Sequence, residues 1–589
     1  MYRVLLAFII LPFAALAQEA ADAVAPEIAG AGQVRASEAA SAAQVKKAAG
    51  QPVVAENWMV AAANPLAVEA GARVLRDGGT AADAMVAVQA VLGLVEPQSS
   101  GLGGGAFLVW YDGATGGVTT LDGRETAPLA ATPRLFQDAN GEPMGFFDAV
   151  VGGRSVGTPG TPMLMHKAHE KWGRADWPDL FTEAIELADT GFPVSPRLSM
   201  SVGRDAMRLA SHPGTSAYFL PDGIRVAEGH ILKNPDYAQS LRALAEGVDA
   251  FYTGDIARDI VAAVEGADNP GLLSLLDFAI YEVKEREAVC ADYRGFEVCG
   301  MGPPSSGALT VGQILGLLNG FDMAAMGPDD PEAWRLIGDA SRLAFADRGR
   351  YMADSDFVPV PTKGLIDPAY LADRATVLNT DTALPDVAPG NPEFDHALNW
   401  ADDTSLELPS TSHISIVDQY GNALSMTTTI ENAFGSRVMV RGFLLNNELT
   451  DFSFRSHEGG VPIANRVEPG KRPRSSMSPT IVLKDGAPVL VVGSPGGSRI
   501  IGYVAKTIIA HLDWGMDVQE AIDLPHLVNR FGPYDVEEGR VPASLMNALM
   551  AQGFEISPRN LTSGLHAISI GDALLGGADN RREGIALGQ

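Results

Sequence analysis

An α+β fold is what the chain predicts, from three observations. Hydrophobic residues make up 46% of its 589 positions, enough to fill a large core and too many for general disorder. Residues 160 to 350 read mostly as helical periodicity. After Thr411 the pattern changes to short alternating runs, as strands require. No internal repeat is visible, and the helix-rich first part and strand-rich last part fit either two domains or one mixed fold.

Charge and composition narrow the classes of function. Lys and Arg number 43 against 72 Asp and Glu, a formal charge of -29. Such a surface repels phosphate backbones, which argues against a nucleic-acid partner. The start, "MYRVLLAFIILPFAALA", has the parts of an export leader over residues 1–17. Arg3 gives the positive start, Val4 to Phe13 the apolar stretch and Ala15-Leu16-Ala17 the cleavage site. The stretch is short for a membrane span, so export to a periplasm or the medium is favoured over an uncleaved anchor. No cysteine follows the cleavage site to carry a lipid. Cys290 and Cys299, in "VCADYRGFEVCG", flank an apparent turn at Arg294-Gly295. They suit a local disulfide in an oxidising compartment, the alternative being two buried thiols on adjacent strands. No His/Cys cluster has the spacing of metal ligands, and no cofactor is called for.

The elements follow in order. Residues 18–56 form an Ala-rich segment, a loose surface helix or partly disordered, with ordered sequence expected near Asn57. Thr80 followed by Asp83 caps a helix whose Ala84, Val88 and Val91 recur at helical spacing before Pro97. The glycines of "SSGLGGGAF" permit close backbone packing. They lack the lysine and Ser/Thr of a phosphate loop. Two strands are expected after them, Ala106 to Tyr111 and Gly117 to Leu121. Ser305 and Ser306 precede an apolar helix starting near Leu309. From Tyr370 to Pro409 the chain is polar and unpatterned, which reads as exposed and mobile.

Next comes "LPSTSHISIVDQYGNALSMTTTI", a hairpin crowded with hydroxyls. Alternation puts His413, Ser415 and Val417 on one face and Ser412, Ile414 and Ile416 on the other. A two-residue turn at Tyr420-Gly421 would set Thr411 opposite Ile430 and Thr429 opposite Ser412, with Thr429 diagonal to Thr411. Threonine's β-propensity alone would explain an ordinary hairpin. It does not explain "GFLLNNELTDFS", "RPRSSMSPT" and "GSPGG" downstream. A Ser-His-Asp triad lacks its "GxSxG" elbow. A threonine nucleophile can instead use its own α-amine as base, once a peptide-bond cut exposes it.

Taken together, these motifs resemble the bacterial gamma-glutamyltranspeptidases, a family of N-terminal-nucleophile hydrolases. "TSHISIVDQYGNALSMTTT" carries the likeness, with further motifs in the family's order down to "GADNRREG". The resemblance implies an αββα sandwich, two stacked sheets flanked by helices. It implies a precursor that cuts itself between Ser410 and Thr411 into a large subunit, 57–410 after its N-terminal segment, and a small one, 411–589. The two would form a heterodimer building one catalytic fold. Thr411 would be the nucleophile and Thr429 its hydrogen-bonding partner, with Gly496 and Gly497 forming the oxyanion hole. Arg124, Ser475 and Ser476 would hold the substrate's α-carboxylate, and Glu431, Glu448 and Asp451 its α-ammonium. Expected partners are glutathione and other γ-glutamyl compounds, with water, amino acids or dipeptides as acceptors.

One segment departs from the pattern. Many bacterial relatives carry an aromatic lid, whereas Ser453 to Gly470 has no Tyr or Trp and Phe454 sits at its start. A more open pocket favours hydrolysis over transfer. The rival reading is a cephalosporin or glutaryl acylase of the same fold, opposed by the ammonium-facing acids. A non-enzymatic binding protein would need neither Thr411 nor a cut.

Overall fold

The structure, a computed structural model, describes residues 37–394 and 399–589 apart from 404, 406 and 409. The expected leader lies outside the described residues. Two seven-stranded sheets form the centre, every pairing in them antiparallel. One runs from edge to edge through Val53–Ala55, Leu574–Ala578, His566–Ile570, Ala487–Gly493, Thr480–Lys484, Phe296–Gly300 and Val289–Tyr293. The other runs through Ile585–Gly588, Met59–Ala62, Ser412–Val417, Ala423–Thr429, Gly105–Tyr111, Val118–Gly123 and Lys284–Glu287.

Three apolar cores make four layers. Met59, Val109 and Val417 from one sheet meet Ile481, Val491 and Ile568 from the other. On the outer face of the nucleophile sheet, Ile414, Ile416, Leu108 and Trp110 pack with the helices Pro65–Arg76 and Ala81–Val95. On the outer face of the other sheet, Val482, Leu490 and Val492 pack with Gly307–Leu318, Pro331–Tyr351 and Ile500–Leu512. This is an αββα sandwich, and the early and late parts of the chain are interleaved in it rather than separate domains. Among the described residues, no helix is long and apolar enough to cross a membrane.

Local signals hold where the chemistry is local. The Thr80 hydroxyl accepts from Asp83 N at 3.3 Å and the Asp83 carboxylate accepts from Thr80 N at 2.9 Å, a reciprocal cap on Ala81–Val95. Cys290 and Cys299 face each other across the Val289–Tyr293/Phe296–Gly300 hairpin and are joined as a disulfide. Order begins earlier than Asn57. Glu38–Ala48 is a helix that buries Ala40 and Ala43, and its Lys47 Nζ donates to the carbonyls of Arg582 and Gly584, each at 2.7 Å.

The hairpin register differs by one residue from a two-residue turn. Asp418 N donates to Asn422 O, which closes a three-residue loop, Gln419-Tyr420-Gly421, with Gly421 at φ +80. The Asp418 carboxylate fixes it by accepting from Tyr420 N and Asn422 N. Ser412 therefore pairs with Thr428 and His413 with Thr427, so the threonines at 411 and 429 stand directly across from each other.

The expectation of an exposed stretch up to Pro409 fails at its end. Asp403, Glu407, Leu408 and Ser410 are buried, because Asp403 and Glu407 pair with buried guanidiniums. Close packing at the glycine run is literal. A Cβ on Gly103 would lie 2.1 Å from Leu444 O, and one on Gly104 2.0 Å from Thr429 O. Gly101 has only Gly93 Cα at 3.7 Å. Gly104→Ala is therefore expected to destabilise the chain by about 1–3 kcal/mol or more, while Gly101→Ala is tolerated. Urea unfolding midpoints of the two variants test the difference.

Candidate active site

The site begins where the polar stretch enters the Ser412–Val417 strand. Ser410 is tied down through its hydroxyl, which donates to Gln98 O at 2.7 Å. Its carbonyl accepts from the Thr429 hydroxyl at 3.0 Å and lies against the Thr411 hydroxyl. The two threonine Oγ1 atoms are 3.3 Å apart, and Glu431 N donates to Thr429 Oγ1 at 2.9 Å. Arg582 Nη1 donates to Thr411 O at 3.1 Å, fixing the far side of the same residue. A buried peptide carbonyl thus has a nucleophile-capable hydroxyl beside it and a second hydroxyl polarising it.

Next to this peptide lies an acid-rich wall. Arg124 Nη2 donates to Asp451 Oδ2 at 2.5 Å and Nη1 to Glu448, while Nε and Nη2 also reach the carbonyls of Pro473 and Arg474. The uncut chain therefore engages the Arg124 fork with its own groups. Glu431, at φ +74, accepts from Leu408 N and from Asn447 Nδ2. Burial and then Glu448 push its carboxyl up to about 8. Burial likewise raises Glu448 and Asp451, although Arg124 opposes it in both. Glu125, also buried, is raised well above the usual range by burial and by Glu448. Burial thus disfavours the several negative charges gathered around one guanidinium, a cost that an incoming cation would relieve.

A second set of buried charges gathers beside the paired serines. Ser475 and Ser476 lie on a segment bridged to Ser305, and Ser306 donates to Ser475 O through both its N–H and its hydroxyl. Arg348 Nη2 donates to Ser476 Oγ at 2.7 Å and to the Glu407 carboxylate, and its Nε donates to Ser306 Oγ at 2.9 Å. Arg474 lies 3.1 Å from Asp403 and 3.5 Å from Glu407. Burial and the neighbouring Arg474 bring Arg348 down to about 10. Burial alone would raise Glu407, but Arg348 and Arg474 hold it below the usual carboxylate range.

The structure brings Arg124, Ser410, Thr411, Thr429, Glu431, Glu448, Asp451, Ser475, Ser476 and Gly497 around one cavity of about 20 Å³, room for about one water. Gly497, at φ +58, backs onto the 407–408 backbone, where a Cβ would meet Glu407 O at 2.6 Å. Gly496 is set behind it against the Tyr503 ring. No residue of 453–470 lines this cavity, and Phe454 stacks on Phe136 at 4.7 Å. Sequence reading missed Arg348, Arg474, Glu407 and Glu125. Arg474 and Glu125 adjoin motif residues and were within reach, whereas nothing in the sequence marks Arg348 on its helix.

The titration of Glu431 has a checkable sign. An unfolded glutamate ionises near 4.3. Between there and about 8 the unfolded chain gives up a proton that the folded chain keeps, so stability falls as pH rises through that window. In a Thr411→Ala background, Glu431→Gln is expected to flatten melting temperature against pH over this range and to raise it at pH 8. Melts at closely spaced pH values measure both.

Comparison with known proteins gives the context. The family model described as Gamma-glutamyltranspeptidase matches residues 67–589. The chain is 38% identical over 550 residues to a "Glutathione hydrolase proenzyme" of Bacillus subtilis (strain 168), covering 91% of this chain and 92% of the relative. It is 36% identical over 550 residues to the protein of the same name in Escherichia coli (strain K12), covering 90% and 91%. Among solved structures, the cephalosporin acylase from Bacillus halodurans superposes with a TM-score of 0.80 at 25% identity, covering 92% of this chain and 97% of that one. On the extent of these matches, the chain belongs to the gamma-glutamyltranspeptidase family of N-terminal-nucleophile hydrolases.

Proposed function

We propose that the chain cuts itself between Ser410 and Thr411 and then hydrolyses or transfers the γ-glutamyl group of glutathione and related compounds. The observation that carries this reading is the Thr411 hydroxyl lying against the Ser410 carbonyl, with Thr429 donating to the same oxygen at 3.0 Å. In the cut, Thr411 Oγ1 bonds to the Ser410 carbonyl carbon and the C–N bond breaks. The hydroxyl proton ends on the Thr411 nitrogen. Water then cleaves the ester, leaving a Ser410 carboxylate and a free Thr411 amine and hydroxyl. That amine, with an ordinary pKa near 7.7 to 8.0, is the base for later turnovers.

In turnover the same hydroxyl attacks the γ-carbonyl of the substrate. The amide C–N bond breaks, the proton passes through the α-amine to the leaving nitrogen, and a γ-glutamyl ester remains. Water resolves it to glutamate, or an amino acid or peptide amine takes the acyl group. Glu431, Glu448 and Asp451 face the substrate's α-ammonium, and Arg124, Ser475 and Ser476 its α-carboxylate. Gly496 and Gly497 offer N–H groups to the oxyanion. The large and small pieces stay together as a heterodimer, and the leader directs the chain to a periplasm or the medium.

A second reading, a glutaryl or cephalosporin acylase, is favoured by the whole-length likeness to such an enzyme. The three carboxyls facing the cavity weigh against it, because a glutaryl group carries no amine to meet them.

Thr411→Ala is expected to give one uncut chain without amidase activity, and N-terminal sequencing of the wild-type small piece to read Thr-Ser-His-Ile-Ser. Any other start sinks the assignment. With glutathione at neutral pH, free glutamate is the expected main product, and excess glycylglycine diverts only part of it. Cleavage of a glutaryl amide with glutathione untouched would put the acylase in its place.

A further inference from the structure

Glu407 stands three residues before the proposed cut and is buried, yet its carboxylate belongs to no element of the fold. It reaches Arg348 and lies 3.5 Å from Arg474, on the serine-lined side of the cavity that holds Thr411. Arg474 has a second carboxylate partner in Asp403, at 3.1 Å. Arg348 has none among the described ion pairs; its guanidinium also donates to the hydroxyls of Ser306 and Ser476 and lies over the Phe345 ring at 5.6 Å. Withdrawal of Glu407 would therefore leave a buried guanidinium without a directly paired carboxylate, beside Ser476, which lines the cavity that holds Thr411. Leaving such a charge unpaired is costly, and a carboxylate is the group that repairs it.

We infer that Glu407 is an internal stand-in for substrate, its side-chain carboxylate filling, until the cut, the subsite where Arg348 and Ser476 later take the α-carboxylate of a γ-glutamyl compound. This rests on the self-cleaving reading above. Its first consequence is positional. Glu407 O accepts from Ser498 N at 3.4 Å and Leu408 N donates to Glu431, so the anchored carboxylate pins the strand of chain that delivers Ser410 to Thr411. The second is exclusion. With Glu407 and Leu408 in place the cavity keeps only about 20 Å³, and an uncut chain has no room for substrate. Cutting frees the Ser410 end, after which Glu407 can leave and Arg348 passes to the substrate. Glu407 is thus a positioning residue for maturation, and Arg348 a specificity residue for turnover.

Two arms test this in the full chain. In the first, self-cleavage is timed on gels for Glu407→Gln and Glu407→Ala. Loss of one charge-assisted contact predicts slowing by about tenfold to a hundredfold. Added acetate should restore Glu407→Ala, and chloride at equal ionic strength should not. A merely structural loss would not respond to acetate. In the second arm, L-glutamate is titrated calorimetrically into Thr411→Ala and Thr411→Ala/Glu407→Ala, with melts confirming that both fold. Binding only to the double variant is expected. Cleavage at the wild-type rate in both single variants, or equal glutamate binding with and without Glu407, overturns the inference. A wild-type chain that never splits would sink the self-cleaving reading instead, and the titration would still decide whether Glu407 occupies a carboxylate subsite.

Discussion

Two hydroxyls on one carbonyl set the terms for the rest of the molecule. The Ser410 carbonyl lies between Thr411 and Thr429, and that arrangement exists only if the hairpin closes in one register. A slip of one residue would send Thr429 to the opposite face of the sheet. Several distant features guard against it. Asp418 ties the three-residue loop, the glycine at 104 lets the neighbouring strand lie against Thr429 O, and Arg582 holds Thr411 O from the far end of the chain. The helix at Glu38–Ala48 in turn grips the carbonyl of Arg582 through Lys47. The Ser410-Thr411 peptide is thus located by segments from both the early and the late parts of the chain.

Charge is arranged with equal economy. Burying three guanidiniums, Arg124 in the cavity wall and Arg348 and Arg474 near it, would be prohibitive without partners. The pocket supplies Glu448 and Asp451 for the first, Asp403 for the third and Glu407 between the last two. On the acid side, Glu431 and Glu125 go beyond what one arginine can neutralise, and burial leaves them raised. Acid is thus in excess around Arg124, whereas Arg348 and Arg474 are matched by Glu407 and Asp403.

Features governed by neighbours in sequence were legible there. The Thr80–Asp83 cap, the strand pair after the glycine run, the facing of Ile414 and Ile416, and the place of Thr411 all follow from spacing or motif. The register was not, because the three-residue loop depends on the hydrogen bonds of Asp418 to Tyr420 N and Asn422 N, which alternation alone does not reveal. The burial of Glu407 was hidden for another reason. Its partners, Arg348 and Arg474, lie 59 residues before it and well after it, and the chain leading into it from Tyr370 is polar and poor in periodicity. A polar run reads as solvent-exposed unless its counter-charges are known. For residues 38–48 a surface helix was one of two readings left open, since Ala-rich sequence carries little apolar signal until a surface is supplied for it.

The interleaving of the sheets has one more consequence. Strands from before residue 410 and after it alternate, with Met59–Ala62 lying between Ile585–Gly588 and Ser412–Val417, and Ala423–Thr429 beside Gly105–Tyr111. While the chain is continuous, bringing these strands together is an intramolecular search whose entropic cost is fixed by loop length. Once the backbone is severed, the same contacts join two molecules, and reassembly after unfolding depends on their concentration. At low concentration, severance would thus turn a reversible equilibrium into a ratchet. The joined pieces would persist because coming apart is slow, with a lifetime set by the unfolding barrier rather than by any chance of finding each other again.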